Sequence, residues 1–346
     1  MAHIPDLAAS PARKIDFKIL VLFGSFAFCI LFFLELFAGT KGLSFADSAR
    51  TFFAQISGEN TAASARIILL KVRLPRAFAA ILCGSALSVS GLILQLSLNN
   101  SLAGPGIIGV NGGAGLFVLL FSLFFPYVAL VRSLAAFFGA ILAVLTVYFI
   151  SRQAGVSKTT LVLSGVAVSS MMTAGIDVII TLKPEIVADK VAFSLGGFQN
   201  LNLSSLYIAF PVILLSLAGG LLLSSGIDLF QLGDETAFGL GLNVKRCRLL
   251  GIIISGLLAG ASVSVCGLLG FVGLLIPNLI RLFSKNDTKR NIILSSLLGA
   301  DFLLLCDLLA RILFFPYELP VGLFLSCLGS PFFIWMLISK KKRLSV

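Results

Sequence analysis

Charge is scarce in this chain. Asp, Glu, Lys and Arg make up 12% of its 346 residues, against about 25% in an ordinary soluble domain. With 58% apolar side chains, too little polar surface remains to cover a water-soluble globule. Histidine is nearly missing. The single His3 lies in the polar N-terminal arm, so no imidazole-built metal centre is available. Cysteine occurs six times but never as C-x-x-C, and five of the six lie inside apolar runs. They read as small buried hydrophobes, not disulfides or metal ligands. No G-x-x-x-x-G-K-[ST], H-E-x-x-H or G-x-S-x-G occurs, so the chain carries no P-loop of its own and shows no catalytic set for intramembrane hydrolysis. The alternation of a porin-like barrel is absent, and 31 Phe with long aliphatic runs exclude disorder. Nor is the N-terminal arm a secretory signal: Asp6 and Pro11 interrupt it, and the apolar run behind it is long enough to span.

What is present is a series of apolar runs near the length a bilayer requires. They cover residues 19–37, 77–96, 107–124, 134–150, 160–182, 203–223, 249–266, 268–282, 292–315 and 321–338, ten in all. An even number puts both termini on one side. With the termini inside, 16 of the 26 Lys and Arg fall on inner segments, as the positive-inside rule requires. The net charge of +11 is thereby explained by loop retention, and no nucleic-acid partner is expected. The expectation is all-α: a cytoplasmic arm (1–18), one ten-helix domain (19–339) holding a long inner loop (224–248), and a basic cytoplasmic tail (340–346).

Two stretches look related. Residues 84–91 (GSALSVSG) and 260–267 (GASVSVCG) each lead into a segment broken by Gly and Pro. Paired broken segments point to an internal repeat with a transport path between the halves. Gly109-x-x-x-Gly113 and Gly256-x-x-x-Gly260 allow close helix approach.

The acids inside the spans are Glu35, Asp177, Asp301 and Asp307. Asp301 is the best candidate for binding a coupling ion. Asp307 is read as the orienting partner of Arg311, four residues on along the same helix face. Arg73 and Arg76 of K-V-R-L-P-R sit at the outer mouth of the second span, where Pro75 suits a first helical turn. Arg311 lies near the outer end of the ninth. The three suit either a docking patch for acidic side chains or lipid headgroups reached by snorkelling. In the inner loop, Asp234 and Glu235 suit a helix N-terminus and Gly239 and Gly241 its end. The loop's apolar Leu229, Leu232, Phe238, Leu240 and Leu242 form either a protein-docking surface or an interfacial helix.

Several segments together resemble one family: R-L-P-R (73–76), G-S-A-L-S-V-S-G-L-I-L-Q (84–95), N-S-L-A-G-P-G-I-I-G-V (100–110), L-S-G-V-A (163–167), G-D-E-T-A-F-G-L-G (233–241), G-F-V-G-L-L-I-P-N-L-I-R (270–281), Ala310-Arg311, E-L-P-V-G (318–322) and L-G-S-P-F-F-I-W (328–335). The chain is similar to the FecCD-type permease subunits of ABC importers for iron-siderophores, haem and cobalamin. The resemblance implies the type II ABC importer permease fold, a homodimer or close heterodimer with the path along its axis, two separate ATPase subunits beneath, and an extracytoplasmic substrate-binding protein above. It implies a permease of the bacterial cytoplasmic membrane with no cofactor and no bond chemistry. Its default cargo is an iron(III)-siderophore chelate, with haem or cobalamin as alternatives. By resemblance, Arg73, Arg76 and Arg311 meet glutamates of the binding protein. Gly233, Asp234, Glu235, Ala237, Phe238, Gly239 and Gly241 couple to the ATPase. Asn100 and Leu102 form a cytoplasmic gate, and Lys158 and Thr159 a second. Three positions depart from the family pattern: Ser101 replaces a proline, Asn278 a histidine, and Lys158 a small polar group. The rival class is an ion-coupled secondary carrier using Asp177 or Asp301.

Overall fold

The computed structural model describes residues 16–38, 45–57, 63–125, 128–153, 158–199, 201–284, 287–314 and 317–344. Its helices are α1 (Phe17–Phe37), α2 (Phe45–Ser57), α3 (Ala63–Ile67), α4 (Leu74–Ser97), α5 (Val110–Phe124), α6 (Ala129–Gln153), α7 (Lys158–Leu182), α8 (Val187–Leu195), α9 (Leu203–Phe230), α10 (Asp234–Gly239), α11 (Val244–Cys266), α12 (Val272–Phe283), α13 (Thr288–Ile312) and α14 (Val321–Leu344). No strand occurs among the described residues. Seven helical stretches are long and apolar enough to cross a membrane: Phe17–Phe37, Ser64–Ser97, Ala129–Gln153, Thr159–Leu182, Leu203–Phe230, Val244–Cys266 and Thr288–Ile312. Three shorter apolar helices, Val110–Phe124, Val272–Phe283 and Val321–Ile334, lie where the sequence places its third, eighth and tenth runs.

Two of those runs are shorter as helices than as apolar stretches, because glycine interrupts them. Gly109 adopts a left-handed φ of +85° between the 3-10 turn Pro105–Ile108 and α5. Gly267 (φ +69°) ends α11, and an irregular segment then precedes α12. Both are conformations that a Cβ disfavours.

The second run departs in the other direction. Helix continues from Ser64 through to Ser97, and Pro75 stands in the first turn of α4, as expected, directly behind a π turn. A π turn over Ile68–Arg73 makes this possible, with the Leu74 N–H reaching back to the Leu69 carbonyl. Proline lacks the N–H for its own bond and crowds the carbonyl four residues back; a wider turn relieves the crowding.

Helix α4 is the axis of the bundle. Between Arg76 and Ser97 nearly every residue is buried. Its small residues set how close its neighbours come: a methyl at Gly84 would fall on the Gly299 carbonyl of α13, and one at Gly91 on the Gly273 carbonyl of α12. Against α11, Ser90 and Ser255 exchange hydroxyl-to-carbonyl hydrogen bonds at 2.8 and 3.2 Å. The related stretches 84–91 and 260–267 thus belong to two helices in direct contact. Gly113 packs on Gly139 of α6, while Gly256 and Gly260 pack on Val144 and Ala140. Four of the six cysteines are buried, as expected, whereas Cys29 and Cys327 are exposed.

Helix α2 has no counterpart in the sequence reading. It lies on the end of α1 through Phe52, whose ring stands 5.7 Å from that of Phe37 and 6.4 Å from that of Phe33.

Candidate functional site

Three arginines gather at the bundle end where α1 and α13 finish and α4 begins. Arg73 and Arg76 are three apart, hence on one helix face. Arg73 Nη1 donates to the Leu36 and Phe37 carbonyls at 2.9 and 3.1 Å and to Ser48 Oγ of α2 at 2.8 Å. It thereby serves orphan carbonyls in the last turn of α1. Arg76 grips Asp307 with both arms of its fork, Nε to Oδ2 at 2.7 Å and Nη2 to Oδ1 at 2.8 Å, and reaches Glu318 Oε2 with Nη1 at 3.0 Å. Arg311 pairs with Glu35, 2.5 Å from Nη2 to Oε1, and also donates to the Glu35 carbonyl at 3.2 Å.

This differs from the open basic patch expected at the outer mouth. Arg73, Arg76 and Arg311 are 4%, 6% and 4% exposed, and Glu35 and Asp307 are fully buried. The cluster sets three guanidinium groups against three carboxyl groups, those of Glu35, Asp307 and Glu318, all from within the chain. The expected Asp307–Arg311 pair is secondary, with Nε 3.7 Å from Oδ2. Along a helix the i,i+4 approach is oblique, and Arg76 arrives head-on from α4 with the bidentate geometry that carboxylates prefer. Glu318 alone reaches the surface, its side chain 20% exposed. It lies between α13 and α14, and its backbone carbonyl accepts from Gln199 Nε2 at 2.8 Å.

At the opposite end, α10 forms where the sequence places it, from Asp234 to Gly239, with Gly233 (φ +99°) before it and Gly241 (φ +88°) after it. Ala237 is buried and Glu235 exposed, while Leu232, Phe238 and Leu240 stand 58%, 74% and 61% exposed. Three large apolar side chains on and beside one short turn-bounded helix make a knob that water disfavours.

Beside α10, α4 ends in a loop (98–104). The Asn100 side chain accepts from the Leu102 N–H at 2.9 Å, folding the loop on itself. Asn278 Nδ2 donates to the Ser101 carbonyl at 2.9 Å, so two of the departures from the family pattern touch one another. Gln95 ties the same region to α12, donating to the Gly273 carbonyl and accepting from Arg281 Nη2 at 2.7 Å. Thr159 is exposed in the first turn of α7; the side chain of Lys158 lies outside the described residues. The basic side chains at 340–343 lie outside them too.

One feature escaped the sequence reading. The free face of α7 divides into two lanes. Val166, Ser169, Ser170, Thr173, Ala174 and Asp177 line one, and with Gly106 and Ile107 they wall an open groove of about 570 Å³. Met171, Val178 and Leu182, all exposed, line the other. The i, i+3, i+7 spacing of Ser170, Thr173 and Asp177 is the signal that could have revealed it. At the groove's end Asp177 meets Lys190 of α8 at 3.4 Å. A second cavity of about 370 Å³ lies among α5, α6, α8 and α11, with the Arg132–Asp189 pair at 3.2 Å on its wall. Asp301 is 7% exposed and neither of its oxygens has a hydrogen-bond partner.

Comparison with known proteins gives this architecture relatives. The profile of the FecCD transport family matches residues 27–339. The chain is 37% identical over 285 residues to the hemin transport system permease protein HmuU of Yersinia pestis, covering 80% of this chain and 85% of that protein. It is 34% identical over 303 residues to the Fe(3+)-citrate import system permease protein YfmD of Bacillus subtilis, covering 88% and 89%. Among solved structures it superposes on an inward-facing metal-chelate type ABC transporter with a TM-score of 0.81 at 26% identity, covering 93% of this chain and 99% of that one.

Proposed function

From the premise that the chain belongs to the FecCD transport family, as a metal-chelate type ABC transporter permease and not a catalytic enzyme, we propose that it forms half of a bacterial cytoplasmic-membrane importer for iron(III)-siderophore-type chelates. All ten apolar helices cross the bilayer, with both termini cytoplasmic. A second permease copy supplies the missing wall of the α7 groove, separate ATPase subunits seat on the α10 knob, and a binding protein delivers cargo at the arginine end.

The observation that carries this reading is the groove. A path lined by three hydroxyls and one carboxylate among the aliphatic Ile107, Val166 and Ala174, open along one side and flanked by an apolar lane, is half a conduit. The apolar lane suits burial against a second copy, and the polar lane a hydrated cargo. Among the described residues, the wall offers no aromatic side chain and none of the His, Met, Cys or Tyr side chains that ligate haem iron, which favours a hydrophilic chelate over a flat macrocycle.

Docking through Arg73, Arg76 and Arg311 is then an exchange of carboxylates. The partner's acid takes the place of Glu318 on Arg76, since no guanidinium stands empty. Coupling runs through Gly233, Asp234, Glu235, Ala237, Phe238, Gly239 and Gly241, and the cytoplasmic gates are Asn100 with Leu102 and Thr159 with Lys158. ATP-driven motion of the partners biases the inward- and outward-open states.

Cysteines placed in the two lanes test the groove. Thr173→Cys should react with a hydrophilic thiol reagent and be shielded by a ferric hydroxamate siderophore, whereas Met171→Cys should cross-link to a second copy. Cross-linking through the Thr173 lane with no shielding would contradict the assignment. The ion-coupled alternative draws on one observation, the buried unpartnered Asp301. It requires uptake without any ATPase.

A further inference from the structure

Arg248 has no role in the proposed machinery, yet it is 3% exposed and stands beside the inner loop. It lies in the first turns of α11 and touches three other elements. Its Nη2 donates to both Asp234 oxygens at 2.8 Å, and Asp234 is the first residue of α10. Its Nε donates to the Ser97 carbonyl at 3.2 Å, and Ser97 is the last residue of α4. The guanidinium lies over the Phe230 ring, 5.3 Å from its centroid, where α9 ends.

We propose that Arg248 is the positioning residue through which α10 moves the 98–104 loop. One rigid cation holds the head of the helix that faces the ATPase and the last carbonyl before the gate. This rests on the reading of the chain as an ATP-driven permease.

Three physical points support it. A guanidinium is planar, with donors fixed in a fork, so a displacement of one acceptor is transmitted to the other. The Ser97 carbonyl is one of the orphans that every helix C-terminus leaves, so Arg248 is a true partner for it. The loop beyond is short and folded on itself through Asn100 and Leu102 and pinned to α12 through Asn278. A shift at Ser97 therefore reorients the loop against α12. Lysine could neutralise Asp234 but, as a compact point charge on a flexible stem, could not hold both acceptors in one geometry.

The test uses the whole complex, purified by a tag on this chain and reconstituted in lipid nanodiscs. Exposed Cys29 and Cys327 are made serine and Ser101→Cys reports the loop. The labelling rate with a membrane-impermeant maleimide is compared without nucleotide and with ATP and vanadate, next to the ATP hydrolysis rate. A contact that couples two sites is commonly worth about 5–150-fold. Arg248→Lys should therefore cut the nucleotide effect on labelling by about tenfold while hydrolysis stays within about twofold of the parent. Asp234→Asn should cut the nucleotide effect on labelling likewise, and the double variant should be no worse in that effect than either single one, because the pair acts as one link. A full nucleotide response in Arg248→Lys, or additive losses in the double variant, would overturn the proposal while leaving the importer reading intact. A parent complex whose loop ignores nucleotide would overturn both.

Discussion

Replacing Asp307 with asparagine tests the buried ion cluster most sharply. The side chain is fully buried and receives two charge-assisted bonds from Arg76 at 2.7 and 2.8 Å, with Arg311 3.7 Å away. The amide would keep the shape and remove the charge, leaving three buried arginines against Glu35 and the partly exposed Glu318. Breaking a buried pair from one side costs about 3–5 kcal/mol, a large share of a total stability of about 5–15 kcal/mol. In detergent-solubilised protein this corresponds to a fall in melting temperature on the order of 5–10 °C, followed by size-exclusion chromatography after heating. Removing the pair from both sides, Arg76→Met with Asp307→Leu, should recover at least half of that loss. Apolar side chains then fill the space, Glu318 turns to water, and Arg311 keeps Glu35. A single variant that melts within about 2 °C of the parent, or a double variant that melts lower than the single, would refute the reasoning.

Other expectations follow from the same geometry. Phe238→Asp should abolish co-purification of the ATPase subunits and leave the melting temperature unchanged, since the side chain is 74% exposed. Gly91→Leu should leave little folded protein by fluorescence-detected chromatography, because even a methyl there meets the Gly273 carbonyl and overpacking costs about 1–3 kcal/mol or more. Glu318→Gln should tighten binding of the extracytoplasmic partner several-fold in surface plasmon resonance, because the internal competitor for Arg76 is weakened. A weaker complex would contradict carboxylate exchange.

Much of the fold was legible because bilayer thickness writes itself into sequence as run length. Each apolar run folds as helix, and α10 was readable because its signals are local: a turn glycine, two acids, then glycines again. What was hidden depends on long-range partners. Arg76 meets residues 231 and 242 positions away, and Arg311 meets Glu35 across 276. No local rule links such pairs, whereas the i,i+4 rule offered the nearer but weaker Asp307–Arg311 contact. Arg73 and Arg76 read as exposed because charge ordinarily sits in water; only packing of α1, α4 and α13 shows them enclosed. Helix α2 was missed because its phenylalanines are too few for a span, and the helical turns ahead of Pro75 were missed because a π turn lets helix run on into a proline. Glu35, a lone acid at the end of an apolar run, was the one available hint that a buried cation lay near.

The central claim is that cargo movement is driven from outside this chain. It is tested by loading proteoliposomes with the purified permease, with or without its ATPase subunits and ATP, and measuring accumulation of radioiron presented as a ferric hydroxamate siderophore on the binding protein. Accumulation above equilibrium is expected only when ATPase and ATP are both present, and none from the permease alone under any proton or sodium gradient. Gradient-driven accumulation by the permease alone, abolished by Asp301→Asn, would contradict the claim.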